Sequence, residues 1–436
     1  MRCFMIYFGT DGIRGVAVSD ISQEVCQKCG NALGSLKVRP KIIVGVDTRV
    51  SNGFVFSSFA SGATAAGADI YFVGIVPTPA ISFLVQKYGA DFGVMITASH
   101  NPAEYNGIKI FDRFGKKIDQ SLQVEIERRF AKQKIVSPMQ VGKIFYKLKY
   151  QADYINFIAE SCGVDLSGIK IVLDCSNGAS YLLAKKIFKK LGATVIATSA
   201  SKNGEDINKN CGALFPEKLC KNVQKYGANI GFAFDGDADR VVMADETGSV
   251  CDGDQIVLYL AKMFKKYGLL KTGAVVCTIQ TNMAIEKELQ NIGIKLVRTD
   301  VGDKNVTDEL EKQHLQIGGE QAGHIILFDY EKSGDGIFCA VQLAKFLKLN
   351  DNKISQDIFK NLMPQFSKNI FVESKFEIIN SAKFKVAVSE CEQLLAGAGR
   401  IVTRASGTEP KIRLMVETEN ESLAQTILQK LEQATK

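Results

Sequence analysis

The sequence predicts an α/β protein: three tandem related α/β domains with mainly parallel mixed sheets, then a smaller C-terminal α+β domain. Three observations predict it. A strand, polar turn, helix, strand pattern occurs three times. The last seventy or so residues break that pattern, yet are numerous enough for a small domain of about that size. The 436 residues also exceed one ordinary core; at about 100–200 residues per domain, two to four domains are expected.

The copies begin at 41, 169 and 274. In the first, strand 41–46 leads through the turn 47–51 to a helix over 54–66 and a strand over 69–73. The second has strand 169–173, turn 174–180, helix 181–191 and strand 194–197. The third has strand 274–278, turn 280–282, helix 284–292 and strand 294–298. A glycine follows each helix, at Gly67, Gly192 and Gly293, as helix ends prefer. Units of this size imply parallel strands with helices packed outside them. In the C-terminal part, 369–373 and 383–388 have strand or strand-helix character and 389–395 is helical. Strands are expected at 400–404 and 411–417, with a closing helix over 423–435. The expected domains are 1–150, 151–251, 252–365 and 366–436.

The chain is 46% hydrophobic and 23% charged, ordinary for a soluble globular protein. A net charge of +7 without a dense Lys/Arg run argues against a nucleic-acid surface and suits an anionic small substrate. No apolar run is long enough to span a membrane, and the first eight residues lack a signal-peptide core. Eleven scattered cysteines, among them Cys175, Cys277 and Cys339, fit small buried hydrophobes in a reducing cytosol. Cys26-x-x-Cys29 lacks a second pair, and three histidines cannot build a histidine-rich metal site. The expected location is cytoplasmic.

Five stretches carry the chemistry. Phe92 to Ile96 reads as a buried strand that delivers Ser99 on the turn Thr97-Ala98-Ser99-His100-Asn101-Pro102, where Pro102 stops any continuation. Open α/β sheets place their ligands at such carboxyl ends. Asp235, Asp237 and Asp239 alternate with small residues between two apolar runs; extended chain would put them on one side. Three clustered carboxylates repel unless a cation neutralises them, and oxygen ligands select a hard ion such as Mg²⁺ or Ca²⁺. An EF-hand is excluded because its sixth position would be Arg240 instead of glycine. Arg404-Ala405-Ser406-Gly407-Thr408 is an anion cradle in composition, with Arg413 within reach in sequence. Gly318-Gly319-Glu320-Gln321-Ala322-Gly323-His324 offers a carboxylate for sugar hydroxyls. Gly9, Gly12 and Gly15 permit a loop that approaches an anion, and Arg14 supplies charge there. They do not form the G-x-G-x-x-G dinucleotide fingerprint, and no GxxxxGK[ST] loop occurs.

These stretches, with Tyr7-Phe8-Gly9-Thr10-Asp11-Gly12-Ile13-Arg14-Gly15 at their head, stand in the order found in the α-D-phosphohexomutase superfamily, which the chain resembles from end to end. Within it the resemblance is to the bacterial branch acting on glucosamine phosphates. It implies four domains and a role for each motif. Ser99 resembles the serine that carries a phosphoryl group. Asp235, Asp237 and Asp239 resemble the Mg²⁺ ligands, a phosphoserine oxygen on Ser99 completing the set. Arg240 resembles the arginine on that phosphate, Arg14 another active-site arginine, and Glu320 the sugar-binding acid. Arg404, Ser406, Gly407, Thr408 and Arg413 resemble the loop that grips the non-reacting phosphate. Lys109, His100 and His324 resemble the proton-transfer candidates; Lys109 ranks ahead of His100, because neighbours in sequence need not bring their side chains together. The implied reaction converts glucosamine 6-phosphate to glucosamine 1-phosphate through a bisphosphorylated sugar, feeding amino-sugar and peptidoglycan precursors, in a monomer or homodimer.

Ala322 stands where many members have serine, Lys304 and Asn305 where Arg and Tyr are usual, and Thr97 where serine is usual. Ala322 and Lys304 bear on sugar choice, leaving phosphomannomutase or phosphoglucomutase activity as the rival reading. A non-catalytic phosphosugar-binding protein would need neither Ser99 nor the aspartates.

Overall fold

The same four-strand arrangement closes each of the three repeats. The computed structural model describes residues 8, 9, 11–407 and 409–436. In the first sheet the strands are β1 (Phe8–Gly9), β2 (Gly12–Val16), β3 (Lys41–Val46), β4 (Asp69–Ile75), β5 (Phe92–Ile96), β6 (Tyr105–Phe111) and β7 (Ile144–Tyr146). Their order is β1-β2-β6-β5-β3-β4-β7. The second sheet holds β8 (Lys170–Asp174), β9 (Thr194–Thr198), β10 (Ile230–Phe234), β11 (Val241–Ala244) and β12 (Val250–Cys251), ordered β12-β11-β10-β8-β9. The third holds β13 (Ala274–Thr278), β14 (Lys295–Thr299), β15 (Ile317–Gly319) and β16 (Ile325–Leu327), ordered β14-β13-β15-β16. In each, one strand pairs in parallel with the next two in sequence, and the fourth returns antiparallel.

The repeated pattern has a local cause. Helices Asn52–Ala65, Ser180–Lys190 and Met283–Asn291 each end one residue before the residue preceding a glycine. Gly67, Gly192 and Gly293 then take φ of +96°, +89° and +68°, left-handed values that cost glycine little. The chain turns there into the next parallel strand. One apolar core runs from Ile43 in β3 to Ile358, so the three α/β domains share an interior. Helix Gly336–Leu349, buried along nearly its whole length, belongs to it.

The fourth sheet is antiparallel: β17 (Gln365–Phe371), β18 (Gly399–Ala405) and β19 (Lys411–Thr418), ordered β17-β19-β18. It keeps a separate core built on Phe384, Leu395, Val416 and Leu431.

Three expectations change. Residues 383–388 lie inside one helix, Ala382–Leu395, capped by the Ser381 hydroxyl accepting from the Phe384 N–H at 3.2 Å; Phe384, Cys391 and Leu395 are its buried positions. The glycine-rich opening is a strand where a loop was expected: β2 pairs with β6 over Ile13–Val16. Asp235–Asp239 is a turn instead of extended chain, with Ala238 at φ +57° and its N–H donating to the Asp235 carbonyl at 3.1 Å. The ten described cysteines are free, and nine are buried. Among the described residues no helix is long and apolar enough to cross a membrane.

Candidate active site

The topology explains why distant motifs meet. In every α/β domain the motif fills the loop between the third strand of the repeat and its antiparallel partner. Ser99 lies between β5 and β6, Asp235 to Arg240 between β10 and β11, and Glu320 to His324 between β15 and β16. The cradle of the fourth sheet joins β18 to β19 in the same way.

Ser99 is 1% exposed. Its hydroxyl donates to Asp235 Oδ2 at 2.7 Å and lies 3.4 Å from His100 Nδ1. The two adjacent side chains therefore do meet. Burial, with the charges of Arg240 and Arg14, pushes His100 down to about 4, so its ring is neutral at ordinary pH and able to accept a proton.

Asp235, Asp237 and Asp239 are buried and each offers an oxygen within 4.8 Å of the others. The turn achieves what extended alternation was expected to do. Two of their oxygens, Asp237 Oδ1 and Asp239 Oδ1, are buried without a hydrogen-bond partner. A buried carboxylate oxygen is costly unless bonded or coordinated, and an all-oxygen set suits a hard divalent cation. The residues therefore fit a metal site. Burial and its acidic neighbours raise the Asp235 carboxyl well above the usual range, as expected for an acid cluster short of positive charge.

Lys109 supplies part of that charge. Its ammonium, 1% exposed, donates to Asp237 Oδ2 at 2.7 Å and Asp239 Oδ2 at 3.0 Å and lies 3.1 Å from Asp11 Oδ2. Burial disfavours its charge, but Asp11, Asp237 and Asp239 outweigh burial and hold its proton well above the ordinary lysine range. So placed, Lys109 offsets part of the aspartates' charge. His324 stands behind, Nδ1 3.8 Å from Asp239 and Nε2 3.6 Å from Asp303. Burial lowers its basicity and those two carboxylates raise it further, to a net increase. Its Nε2 also accepts the Gly334 N–H at 3.1 Å.

Of these groups His100, Asp239 and His324 border a cleft of about 390 Å³, lined also by Arg14, Arg240, Glu320 and Ala322. The Arg14 and Arg240 Nε atoms are buried without a hydrogen-bond partner, Arg240 Nε standing 3.9 Å from Asp239 Oδ1. Glu320 is oriented by the Gly302 N–H, which donates to Oε1 at 2.9 Å. A wider opening of about 830 Å³ shares Arg14 and Gly302 with this cleft and reaches Lys304, Asn305 and Gly407. Gly407, just past β18, thus shares an opening with residues of the first and third domains. In the fourth sheet Arg404 and Arg413 sit opposite each other in register; burial and the Arg413 charge lower Arg404. Arg413 donates to Glu409 at 2.9 Å, and Lys375 donates to the Ser406 and Glu409 carbonyls at 2.5 and 2.9 Å. The Ser406 hydroxyl accepts the Glu409 N–H at 3.4 Å. Thr408 lies outside the described residues.

Sequence reasoning missed three groups. Asp11 accepts from Arg14 and Lys117, and Lys117 bridges onward to Asp303, tying the first sheet to the third. The turn 47–51 passed as merely polar, although it holds a fully buried Arg49. Asn208 reaches the Ser99 carbonyl from the second repeat. The visible signal for Arg49 was an Asp-x-Arg directly after the apolar strand β3.

Family comparisons agree with this arrangement. The phosphoglucomutase/phosphomannomutase family matches in four consecutive pieces: alpha/beta/alpha domain I over residues 5–136, domain II over 152–248, domain III over 252–366 and the C-terminal domain over 368–434. A phosphoglucosamine mutase of Thermodesulfovibrio yellowstonii is 43% identical, with 98% of each chain covered. A phosphoglucomutase/phosphomannomutase family protein from Burkholderia thailandensis shares the fold at a TM-score of 0.81 and 22% identity, over 100% of this chain and 97% of that one. The Aspergillus fumigatus N-acetylphosphoglucosamine mutase, solved in complex with GlcNAc-6P and magnesium, superposes at 0.69 and 17% identity, over 100% and 96%.

Proposed function

The chain belongs to the phosphoglucomutase/phosphomannomutase family, in its phosphoglucosamine mutase branch, and we propose that it interconverts glucosamine 6-phosphate and glucosamine 1-phosphate through a phosphoserine at Ser99. The observation that carries this reading is the junction itself: a buried serine hydroxyl on Asp235, beside an acid cluster with two oxygens that no hydrogen bond satisfies, whose Asp239 borders a cleft together with Arg14, His100 and Arg240.

Phosphoryl transfer demands in-line placement and charge neutralisation more than covalent chemistry. Asp235, Asp237 and Asp239, with an oxygen of the Ser99 phosphate, would hold Mg²⁺, which supplies positive charge against the phosphoryl oxygens. The sugar hydroxyl attacks phosphorus, the bond from phosphorus to Ser99 Oγ breaks, and the hydroxyl proton passes by way of His100, the neutral base bordering the cleft, to the leaving Ser99 Oγ 3.4 Å from its Nδ1. Lys109 and Arg240 neutralise the charge that develops, and His324 supports Asp239. Glu320 accepts two sugar hydroxyls. The bisphosphorylated sugar then turns end for end and returns its other phosphate to Ser99. Arg404, Ser406, Gly407, Thr408 and Arg413 grip whichever phosphate is not reacting; a loop that reads charge and shape accepts either end. We divide this labour among domains 1–150, 151–251, 252–365 and 366–436, in a cytoplasmic monomer or homodimer serving amino-sugar and peptidoglycan precursor synthesis.

A protonated C2 amine favours a nearby carboxylate and disfavours a buried positive group. Glu320 and Asp303 border the cleft, and Lys304 stands on the wider opening, which Asp303 also lines. This placement supports glucosamine over neutral sugars, and Ala322 leaves side activity on glucose and mannose phosphates. The test compares kcat/KM for glucosamine, glucose and mannose 6-phosphates. Glucosamine should lead; a neutral sugar ahead by tenfold, about 1.4 kcal/mol of transition-state preference, would move the chain to another branch while keeping the mutase chemistry.

A further inference from the structure

Ser99 holds a left-handed backbone, φ +52°. A residue with a Cβ adopts that conformation only where the surroundings over-determine it. Three hydrogen bonds fall on Ser99's own peptide groups. Its N–H donates to Thr97 Oγ1 at 2.9 Å. Its carbonyl accepts Arg49 Nη2 at 3.0 Å and Asn208 Nδ2 at 2.9 Å.

Arg49 does more than hold one carbonyl. Its guanidinium side chain is 0% exposed. Nη2 also donates to the Asn101 carbonyl at 2.8 Å, and Nη1 donates to the Tyr105 carbonyl at 2.9 Å and to that of Pro102. Nε donates to Asp47 Oδ2 at 3.0 Å, and the same oxygen accepts the Thr97 hydroxyl at 2.7 Å. Four of the five N–H donors of one planar group thus span the loop from residue 99 to residue 105, and the fifth holds the Asp47 carboxylate, just past the end of β3, that neutralises it.

Asn208 approaches from the second repeat. It takes the Ser99 and Asn101 carbonyls at 2.9 and 3.0 Å, the same two that Arg49 Nη2 takes. Beneath them lies Gly236 of the aspartate turn, where a Cβ would sit 2.4 Å from the Ser99 oxygen. The serine loop and the acid turn are therefore keyed together through this carbonyl.

We propose that Arg49, with Asp47 and Asn208, is a positioning device that holds Ser99 in its strained conformation and fixes Oγ against the acid cluster in line for phosphoryl transfer. Arg49 touches neither substrate nor the reacting oxygen; it acts through the carbonyls. The proposal rests on Ser99 being the phosphoryl carrier. Lysine at 49 keeps the charge but replaces a planar five-donor fork by one ammonium with three donors. It leaves at least two of these five contacts unmade. A misplacement of about 1 Å at a reacting atom costs on the order of a hundredfold in rate.

The test uses the full chain, loaded with glucose 1,6-bisphosphate, and follows phosphate on the Ser99 peptide by mass spectrometry in a single turnover. Parent, Ser99→Ala, Arg49→Lys and Asn208→Ala are compared, with Tm recorded for each. A parent that gains no phosphate at Ser99 removes the carrier assignment, and the positioning role with it. Given a labelled parent, Arg49→Lys should gain phosphate at least tenfold more slowly, with kcat reduced in step and KM within about twofold. Asn208→Ala, which spares Arg49, should show the same split in smaller measure, and it decides the matter if Arg49→Lys does not fold. Parent-like labelling and turnover in folded variants would overturn the proposal, as would a loss expressed in KM alone.

Discussion

Ser99 and Arg404 border loops of the same kind, each between two antiparallel strands, yet the loops are built to opposite ends. The serine loop follows strand β5 of the first α/β domain; its serine, its clamp and its facing aspartates are buried. The cradle belongs to a separate three-stranded sheet with a core of its own, and Arg413 and Glu409 stay 37% and 45% exposed. A reacting oxygen must be held within fractions of an ångström. A phosphate that arrives first by one end of the sugar and then by the other needs only charge and donors. The difference teaches where precision is concentrated: many hydrogen bonds in the first loop, few in the second.

That contrast can be broken at either end. The largest effect belongs to the buried side. Asp237→Ala removes a candidate ligand and leaves Lys109 and the remaining aspartates mismatched, so turnover should fall to background. Excess chelator should do the same to the parent, with Mg²⁺ restoring it. Full turnover in chelator, with metal content measured as nil, would contradict the metal role of the triad.

The cradle should yield more gently. Arg404→Ala or Arg413→Ala removes one charge-assisted hydrogen bond worth about 1.5–3 kcal/mol, or roughly ten- to a hundredfold in affinity. Calorimetry with the sugar bisphosphate measures it directly. Unchanged affinity in both variants would place the phosphate grip elsewhere.

The smallest effect sits at the junction of the third and fourth sheets. Asp254 Oδ2 accepts the Asn282 N–H at 2.8 Å, and the Asn282 side chain bonds the Met363 backbone just before β17. Burial and Asp252 push Asp254 up to about 7, far above its unfolded value near 4. The folded chain therefore binds this proton more tightly than the unfolded chain. The stabilisation is complete below about pH 4 and is lost as pH rises through about 7. Between pH 5 and 8 the Tm of the parent should fall more than that of Asp254→Asn. Parallel slopes would show that the junction does not titrate.

Much of this was legible in the sequence because hydrophobic runs and turn residues act locally. Strands Phe92–Ile96, Ile230–Phe234 and Ala274–Thr278 are apolar runs cut off by polar residues, and the glycines after the helices mark the repeat. Residues 383–388 misled because Phe384, Val386 and Val388 alternate as a strand would; the Ser381 cap and the helical spacing of Phe384, Cys391 and Leu395 prevailed. The aspartates were legible as a cluster but not as a turn, since Ala238 takes a left-handed conformation that alanine composition does not signal. Arg49 was invisible as a clamp because its partners are carbonyls, which every residue carries. The meeting of His100 with Ser99 depends on the same left-handed serine, a backbone fact that adjacency in sequence hides.

The central claim is that Ser99 carries the phosphoryl group, and one measurement reaches it most directly. Intact-mass analysis of the protein after incubation with a hexose 1,6-bisphosphate, followed by peptide mapping, should show a single added phosphate on Ser99, absent from Ser99→Ala and discharged on adding glucosamine 6-phosphate. A phosphate that persists in Ser99→Ala, or a parent that turns over substrate while never carrying one, would contradict the account.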